Sequence, residues 1–435
     1  MPDVSPDTVA VLGFVSLFVL MLLRVPVGMA MGLVGVTGFG YLTGATPALK
    51  MVGQTSMRIV TDYTFGVIPM FLLMGAIVSR SGMSREMFQA ANRFVGHWRG
   101  GLGIATIAAC AGFAAISGSS VATAATFSTV AYPEMRRFNY PQSFSTGVIA
   151  AGGTLGAMFP PSLVLAVYGL ITQQDIGKLF IAGVLPGLLA VSMYMTTIFI
   201  IGRVRPRFLP AAPRSSRAER LGAARDVWAP LALFVFVIGG LYGGLFTPTE
   251  AGGMGAGGAF LISIARRRLS RADILESLLQ ATRTAAAVFT VLIGAILFGY
   301  FLTVTQTPQN VTAFITGLGM GRYGVLAVIM LMYLALGCLM DAMAMIILTV
   351  PIIFPVITSL GFDPVWFGII IVMTVELGLI HPPMGMNVFV IKTVVKDVSF
   401  STIFVGVIPF VLTDIIRLVV LILFPAIALW LPGRM

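Results

Sequence analysis

Apolar runs of about 18 residues or more recur from one end of the chain to the other, each long enough to cross a bilayer as a helix. The expected full spans are 8–23, 26–44, 65–81, 145–170, 178–202, 227–246, 250–265, 282–305, 366–391 and 402–431. Two further apolar segments, 101–133 and 323–355, are interrupted near the middle by small or polar residues and read as re-entrant helical hairpins. The pattern predicts an all-α polytopic membrane protein with about ten spans and two hairpins. Residues 83–100 mix Phe88, Phe94, Val95 and Trp98 with Arg85, Arg93 and Arg99, as expected of an amphipathic helix on the membrane surface. The longest polar stretch, 203–226, is an Arg-rich linker too short for a soluble nucleotide-binding domain.

Composition agrees with that pattern. Hydrophobic residues make up 58% of the chain and charged ones 10%, against about 45–50% and about 25% in soluble domains. Mean hydropathy is +0.99. A cytosolic enzyme and a secreted domain are excluded. The formal charge of +11 sits between apolar runs, so it reads as membrane-loop charge and not as a nucleic-acid surface. If the 203–226 linker is cytoplasmic, 21 of the 27 Lys and Arg residues fall on that side and five on the other, with Arg417 inside a span. Both termini are then expected outside, which for a bacterial inner membrane means the periplasm. The N-terminus has Asp3 and Asp7 and no basic n-region, so its apolar stretch is expected to be retained. Cys110 and Cys338 lie far apart in apolar segments and read as small core residues.

The second half echoes the first at a shift of 222 residues: Pro133 maps to Pro355, Gly156 to Gly378, and Pro160-Pro161 to Pro382-Pro383. The expected organisation is a first repeat over 1–202, with hairpin 101–133 and broken helix 145–170, and the linker 203–226. A second repeat follows over 227–435, with hairpin 323–355 and broken helix 366–391. The charge count gives the two copies opposite orientations. Inverted repeats with broken helices at matching positions are the architecture of secondary transporters.

The breaks are where chemistry is expected. The first hairpin is interrupted at Ser117-Gly118-Ser119-Ser120, whose carbonyls and hydroxyls suit a cation and whose half-helix N-terminus suits an anion. Close helix packing is the alternative use of such small residues. Its partner break runs from Gly153-Thr154-Leu155-Gly156 to Pro160-Pro161-Ser162, where two prolines remove donors and free carbonyls a turn earlier. The second copy has Met340-Asp341 at its tip, with Glu376, Gly378, Leu379, His381 and Asn387 in its partner break. Asp341 could neutralise a cation, cap the second half-helix, or both. Glu376 reads either as a hydrogen-bond partner of nearby backbone or His381, or as a coupling group. Asp414 and Arg417, three apart on one helix, are expected to neutralise each other. There is no Walker motif, no His-Glu-x-x-His and no Gly-x-Ser-x-Gly, so coupling to an ion gradient is expected in place of a pump or a hydrolase.

Gly153-Thr154-Leu155-Gly156 with Pro160-Pro161-Ser162, Gly378-Leu379-Ile380-His381-Pro382-Pro383, and Thr247-Pro248-Thr249-Glu250-Ala251 resemble the large membrane subunit of TRAP (tripartite ATP-independent periplasmic) transporters over essentially the whole chain. The resemblance implies uptake of an organic acid, usually a carboxylate, driven by sodium through an elevator movement. It implies two partners: a separate small membrane subunit and a periplasmic substrate-binding protein. It implies no cofactor beyond Na+ as coupling ion. Carried onto this sequence, Ser117, Gly118, Ser119 and Ser120 with Gly153, Thr154 and Gly156 would line one sodium site. Met340 and Asp341 with Gly378, Leu379 and His381 would line the other. Glu250 would cap a helix or join scaffold to transport domain. With no basic residue but Arg417 at membrane depth, Ser119, Ser162, Asp341 and Asn387 are the expected substrate-binding groups. The rival readings are a stand-alone sodium/anion symporter of the same architecture and, more distantly, an intramembrane enzyme built on Asp341, Glu376 and His381.

Overall fold

The computed structural model describes residues 4–206, 208–317, 319–338, 340–383 and 385–434. Arg207 of the expected linker, Leu339 of the second hairpin tip and Met384 of its partner break lie outside the described residues. Among the described residues every regular element is a helix. The first half runs α1 (Pro6–Leu22), α2 (Val27–Thr43), α3 (Ala45–Thr61), α4 (Val67–Arg80), α5 (Met83–Val95), α6 (Gly101–Ser117), α7 (Ser120–Arg137), α8 (Gln142–Met158), α9 (Leu163–Thr172) and α10 (Ile176–Val204). The linker carries α11 (Arg217–Asp226). The second half runs α12 (Trp228–Tyr242), α13 (Pro248–Ala265), α14 (Arg271–Val304), α15 (Thr307–Gly317), α16 (Arg322–Gly337), α17 (Ala342–Ser359), α18 (Pro364–Gly378), α19 (Met386–Val394), α20 (Phe400–Leu423) and α21 (Ala426–Leu429).

Helix boundaries recur at the 222-residue shift: α7 and α17 start and stop at matching positions, and the cis bonds Pro160–Pro161 and Pro382–Pro383 match too. The segments expected as hairpins hold the consecutive helices α6–α7 and α16–α17, and those expected as broken helices hold α8–α9 and α18–α19. The span count is lower than expected. Among the described residues six helical stretches are long and apolar enough to cross alone, or seven if the bent α11–α12 pair is one span. The reason is local: α1 and α2 have 17 residues and α12 has 15, short of the ~20 that the hydrocarbon core needs. The 366–391 run is divided into α18 and α19, and the 402–431 run stops at Leu423.

The linker is helical where Ser216 and Glu219 close a capping box at the start of α11. Glu219 also pairs with Arg93 of α5 at 3.1 Å. The Ser216 amide, and after it Arg93, hold the Glu219 carboxyl below the usual carboxylate range. Helix α5 turns Met83, Met87 and Phe88 into the protein, while Phe94 and Trp98 of the expected surface segment 83–100 stay exposed. Glu86 accepts both guanidinium nitrogens of Arg266 at 2.9 Å and Arg268 at 3.2 Å, clamping α5 to the end of α13.

Helices α6, α8, α9 and α18 are buried over nearly their whole length, which makes the two broken helices and first hairpin the centre of the molecule. Around that centre, α2 crosses α14 where Gly28 and Gly294 let the backbones touch; a Cβ on Gly294 would lie 1.9 Å from the Gly28 carbonyl oxygen. Outward faces of α1, α12 and α20 expose Val11, Leu12, Phe18, Leu231, Val235, Leu412 and Ile416, the apolar surface expected toward lipid.

Candidate functional site

The first tip forms because Gly118 takes φ +60°, a left-handed turn that ends α6, and Ser119 then caps α7 by accepting Ala122 N–H at 3.3 Å. The tip rests directly on the break after α8. A Cβ on Gly118 would lie 2.1 Å from the Pro161 carbonyl oxygen, and one on Gly156 would lie 2.5 Å from the Ser119 carbonyl. Gly153 leaves room in the same way beside the Ser120 carbonyl. The structure therefore brings Ser117, Gly118, Ser119 and Ser120 against Gly153 and Gly156, as the motif spacing suggests. The Thr123 hydroxyl donates to the Ser119 carbonyl at 2.8 Å and lies 3.4 Å from the Ser117 hydroxyl. Thr154 is different. Its hydroxyl turns away from the tip, donating to the Ala151 carbonyl at 2.7 Å and meeting the Tyr194 hydroxyl at 3.1 Å. It stands about 100° around α8 from Gly153, the residue that faces the tip.

The second tip repeats the arrangement. Asp341 caps α17, its Oδ1 accepting Met343 N–H at 3.0 Å and Ala344 N–H at 3.1 Å. Gly337 at the end of α16 packs on Gly378, a Cβ there lying 2.8 Å from the Gly378 Cα. Met340 and Leu379 are buried beside them, and the Leu379 carbonyl accepts Asn387 N–H at 3.1 Å. His381 lies on the tip side: its Nδ1 contacts the Pro382 carbonyl and lies 4.0 Å from Cys338 Sγ. It does not bond Glu376.

Glu376 instead reaches across to the other hairpin. It is 1% exposed, and its Oε2 accepts the Ser120 hydroxyl at 2.6 Å. Asp414 and Arg417 pair at 2.9 Å inside the protein, and Asp414 Oδ2 also accepts the Tyr194 hydroxyl at 2.6 Å. Tyr194 thereby joins α8, α10 and α20, a role the sequence pattern did not signal because its partner is 220 residues away. Ser162 caps α9 by accepting Leu165 N–H at 3.2 Å. Ser162 and Asn387 have no exposed surface, so neither can touch a dissolved substrate in this conformation; Ser119 and Asp341 are accessible. Glu250 stands apart from both tips. It closes a capping box with Thr247, whose N–H it accepts at 2.8 Å, so of its two expected roles the structure shows the cap.

Four half-helices, α7, α9, α17 and α19, thus begin at the two tips and two breaks, each presenting free N–H groups and positive dipole ends. Among the described residues no group of three or more His, Cys, Asp or Glu converges, so the donors at the two tips are hydroxyls, carbonyls and the single carboxylate of Asp341. A cavity of about 850 Å³ lies elsewhere, between α3 and α14 on one side and α9 and α17 on the other, with Arg58, Gln173 and Tyr300 on its walls.

The family model for the DctM component of the tripartite ATP-independent periplasmic transporter matches residues 14–427. The chain belongs to that family. It is 40% identical to the C4-dicarboxylate TRAP transporter large permease protein DctM of Pseudomonas aeruginosa over 85% of this chain and 86% of that protein. It is 34% identical to the protein of the same name from Rhodobacter capsulatus over 98% and 99%. Other relatives are named as sialic acid, ectoine and isethionate TRAP permeases. The YdaH transporter of Alcanivorax borkumensis has a similar fold, with TM-score 0.58 and 14% identity, over 90% of this chain and 89% of that one. This DctM-family chain is a multi-pass transporter permease and not an enzyme.

Proposed function

We propose that this DctM-family permease imports an organic acid, a C4-dicarboxylate or related carboxylate, across the bacterial inner membrane by sodium symport. The observation that carries the reading is the pairing of each hairpin tip with a break of one helix, Gly118 on Pro161 and Gly337 on Gly378. Each pair gathers carbonyls, hydroxyls and half-helix N-termini in the interior, where irregular backbone is tolerated only beside protein or a polar cavity. The first sodium is held at Ser117, Gly118, Ser119 and Ser120 with Gly153 and Gly156, and the second at Met340 and Asp341 with Gly378, Leu379 and His381. The substrate carboxylate meets the dipole ends beside Ser119 and Asp341. The two tip–break pairs move together as a transport domain against a scaffold containing α2, α4, α13 and α14. The two halves are inverted repeats, and both termini face the periplasm, because 21 basic residues then lie on the cytoplasmic side. A small membrane subunit steadies the scaffold, and a periplasmic binding protein delivers the substrate.

Uptake of labelled dicarboxylates into proteoliposomes holding this chain and the small subunit tests the tripartite reading. With an inward sodium gradient, uptake should require the binding protein. Equal uptake without it would replace the reading with that of a self-sufficient symporter.

A further inference from the structure

The cavity of about 850 Å³ between α3, α14, α9 and α17 takes no part in either tip–break pair, and its size is that of a ligand pocket. Its depth is apolar. Leu292, Ala295 and Ile296 of α14 line one side, and Leu170 of α9 with Val350 and Phe354 of α17 line the other. Polar groups gather where the helices end: Arg58 in the last turn of α3, Gln173 just past α9, and Thr303 at the end of α14. Arg58 is one of the five basic residues that the charge count places outside.

Among the described residues Arg58 is the one basic residue on these walls; it is exposed and enters no ion pair. The two acidic residues beside it are engaged as helix caps. Asp62 Oδ1 accepts Thr64 N–H at 2.9 Å, and Asp175 Oδ1 accepts Lys178 N–H at 3.1 Å. The cavity also meets the lipid-facing surface: Tyr300 lines it and is exposed beside Val304, and the outer face of α3 exposes Leu49, Met57 and Val60. A second cavity of about 430 Å³ shares Pro308 and Pro355 with the first and adds a lobe beside α15.

We propose that a phospholipid of the periplasmic leaflet occupies this cavity, with its phosphodiester on Arg58 and an acyl chain between α14 and α17. A guanidinium at the mouth suits an anionic headgroup held at the interface. The apolar depth suits hydrocarbon, and the adjoining lobe gives room to a second chain. A dicarboxylate fits poorly, because one carboxylate on Arg58 would leave the other facing apolar walls without a partner. The lipid site does not depend on sodium coupling. On the elevator reading, α14 belongs to the scaffold while α9 and α17 start at the break and the tip, so the lipid packs the gap between fixed and moving parts.

The test is photolabelling of the purified membrane complex in vesicles of phosphatidylethanolamine and phosphatidylglycerol. These carry a trace of phosphatidylglycerol with a diazirine on its acyl chain, and contain neither sodium nor substrate. Label should appear on the wall segments 292–296 and 350–354 as well as on the lipid-facing Val235 and Leu412. Gly299 lines the cavity with nothing within 4 Å of a Cβ, so Gly299→Phe should fill the space and abolish wall labelling, with Val235 and Leu412 labelled as before. Arg58→Gln should lower wall labelling about tenfold at limiting probe, the loss of one charge-assisted contact. If Gly299→Phe does not yield a monodisperse complex, Arg58→Gln, at an exposed position, decides alone. Walls left unlabelled beside labelled Val235 and Leu412 would overturn the site, as would wall labelling that neither variant changes. Wall labelling blocked by excess C4-dicarboxylate would give the cavity to the organic acid and overturn the lipid.

Discussion

Ser120 and Glu376 are 256 residues apart in the chain, yet a 2.6 Å hydrogen bond joins them in the interior. It ties the tip of the first hairpin to the second broken helix, and so joins elements drawn from both halves of the sequence. Ser120→Ala removes the hydroxyl that the Glu376 carboxylate accepts. The expected loss is about 1–3 kcal/mol, the penalty for leaving a buried polar group unsatisfied. A melting temperature equal to wild type, read in sodium-free buffer, would show that the bond adds nothing.

The turn at Gly118 is the most sensitive backbone position of the first tip. Its φ of +60° disfavours any side chain, and a Cβ would press against the Pro161 carbonyl oxygen at 2.1 Å. Gly118→Ala should lift the tip from the break and raise the sodium needed for half-maximal uptake by about tenfold, as loss of ligand positioning does in metal sites. Gly222, in linker helix α11 with nothing within 4 Å, is the matched control. Gly222→Ala should leave uptake unchanged and firm the helix by about 0.5–1 kcal/mol. Equal sodium dependence of the two variants would contradict the placement of the first site.

Asp414 and Arg417 stand on α20 at 1% and 3% side-chain exposure, with Tyr194 of α10 donating to Asp414. Removing one ion strands the other in a medium that solvates it poorly. Arg417→Leu alone should lower stability by about 3–5 kcal/mol, whereas the double variant Asp414→Leu, Arg417→Leu should recover much of that loss. Expression and melting temperature of the single and double variants check the order. A double variant no better than the single one would mean that the pair does more than neutralise itself.

Much of this architecture is legible in the sequence because it depends on local signals. Gly118, Pro160-Pro161 and Pro382-Pro383 interrupt apolar runs at equivalent places, and Ser119, Ser162 and Asp341 are residue types suited to cap the half-helices α7, α9 and α17. The cross-chain contacts are not legible. Glu376 sits five residues from His381 in sequence, but the bend after Gly378 carries His381 to the second tip, and Ser120 becomes the partner of Glu376. Thr154 belongs to the right motif, and helix periodicity turns its hydroxyl to Tyr194. Asn387 and Ser162 are polar residues beside breaks, as a substrate site requires, and tertiary packing then buries both completely. Span lengths are misjudged for the same kind of reason: hydropathy continues through Leu23 and through Phe424 after the helices have ended.

In the proposed mechanism the tip–break pairs bind the ion that drives transport. Its most direct test is initial uptake of a labelled C4-dicarboxylate by proteoliposomes containing the full tripartite system, with external sodium exchanged for choline at constant ionic strength and membrane potential. Accumulation above the external concentration should occur only with an inward sodium gradient and collapse when sodium is equal on both sides. Accumulation that persists in choline would contradict it.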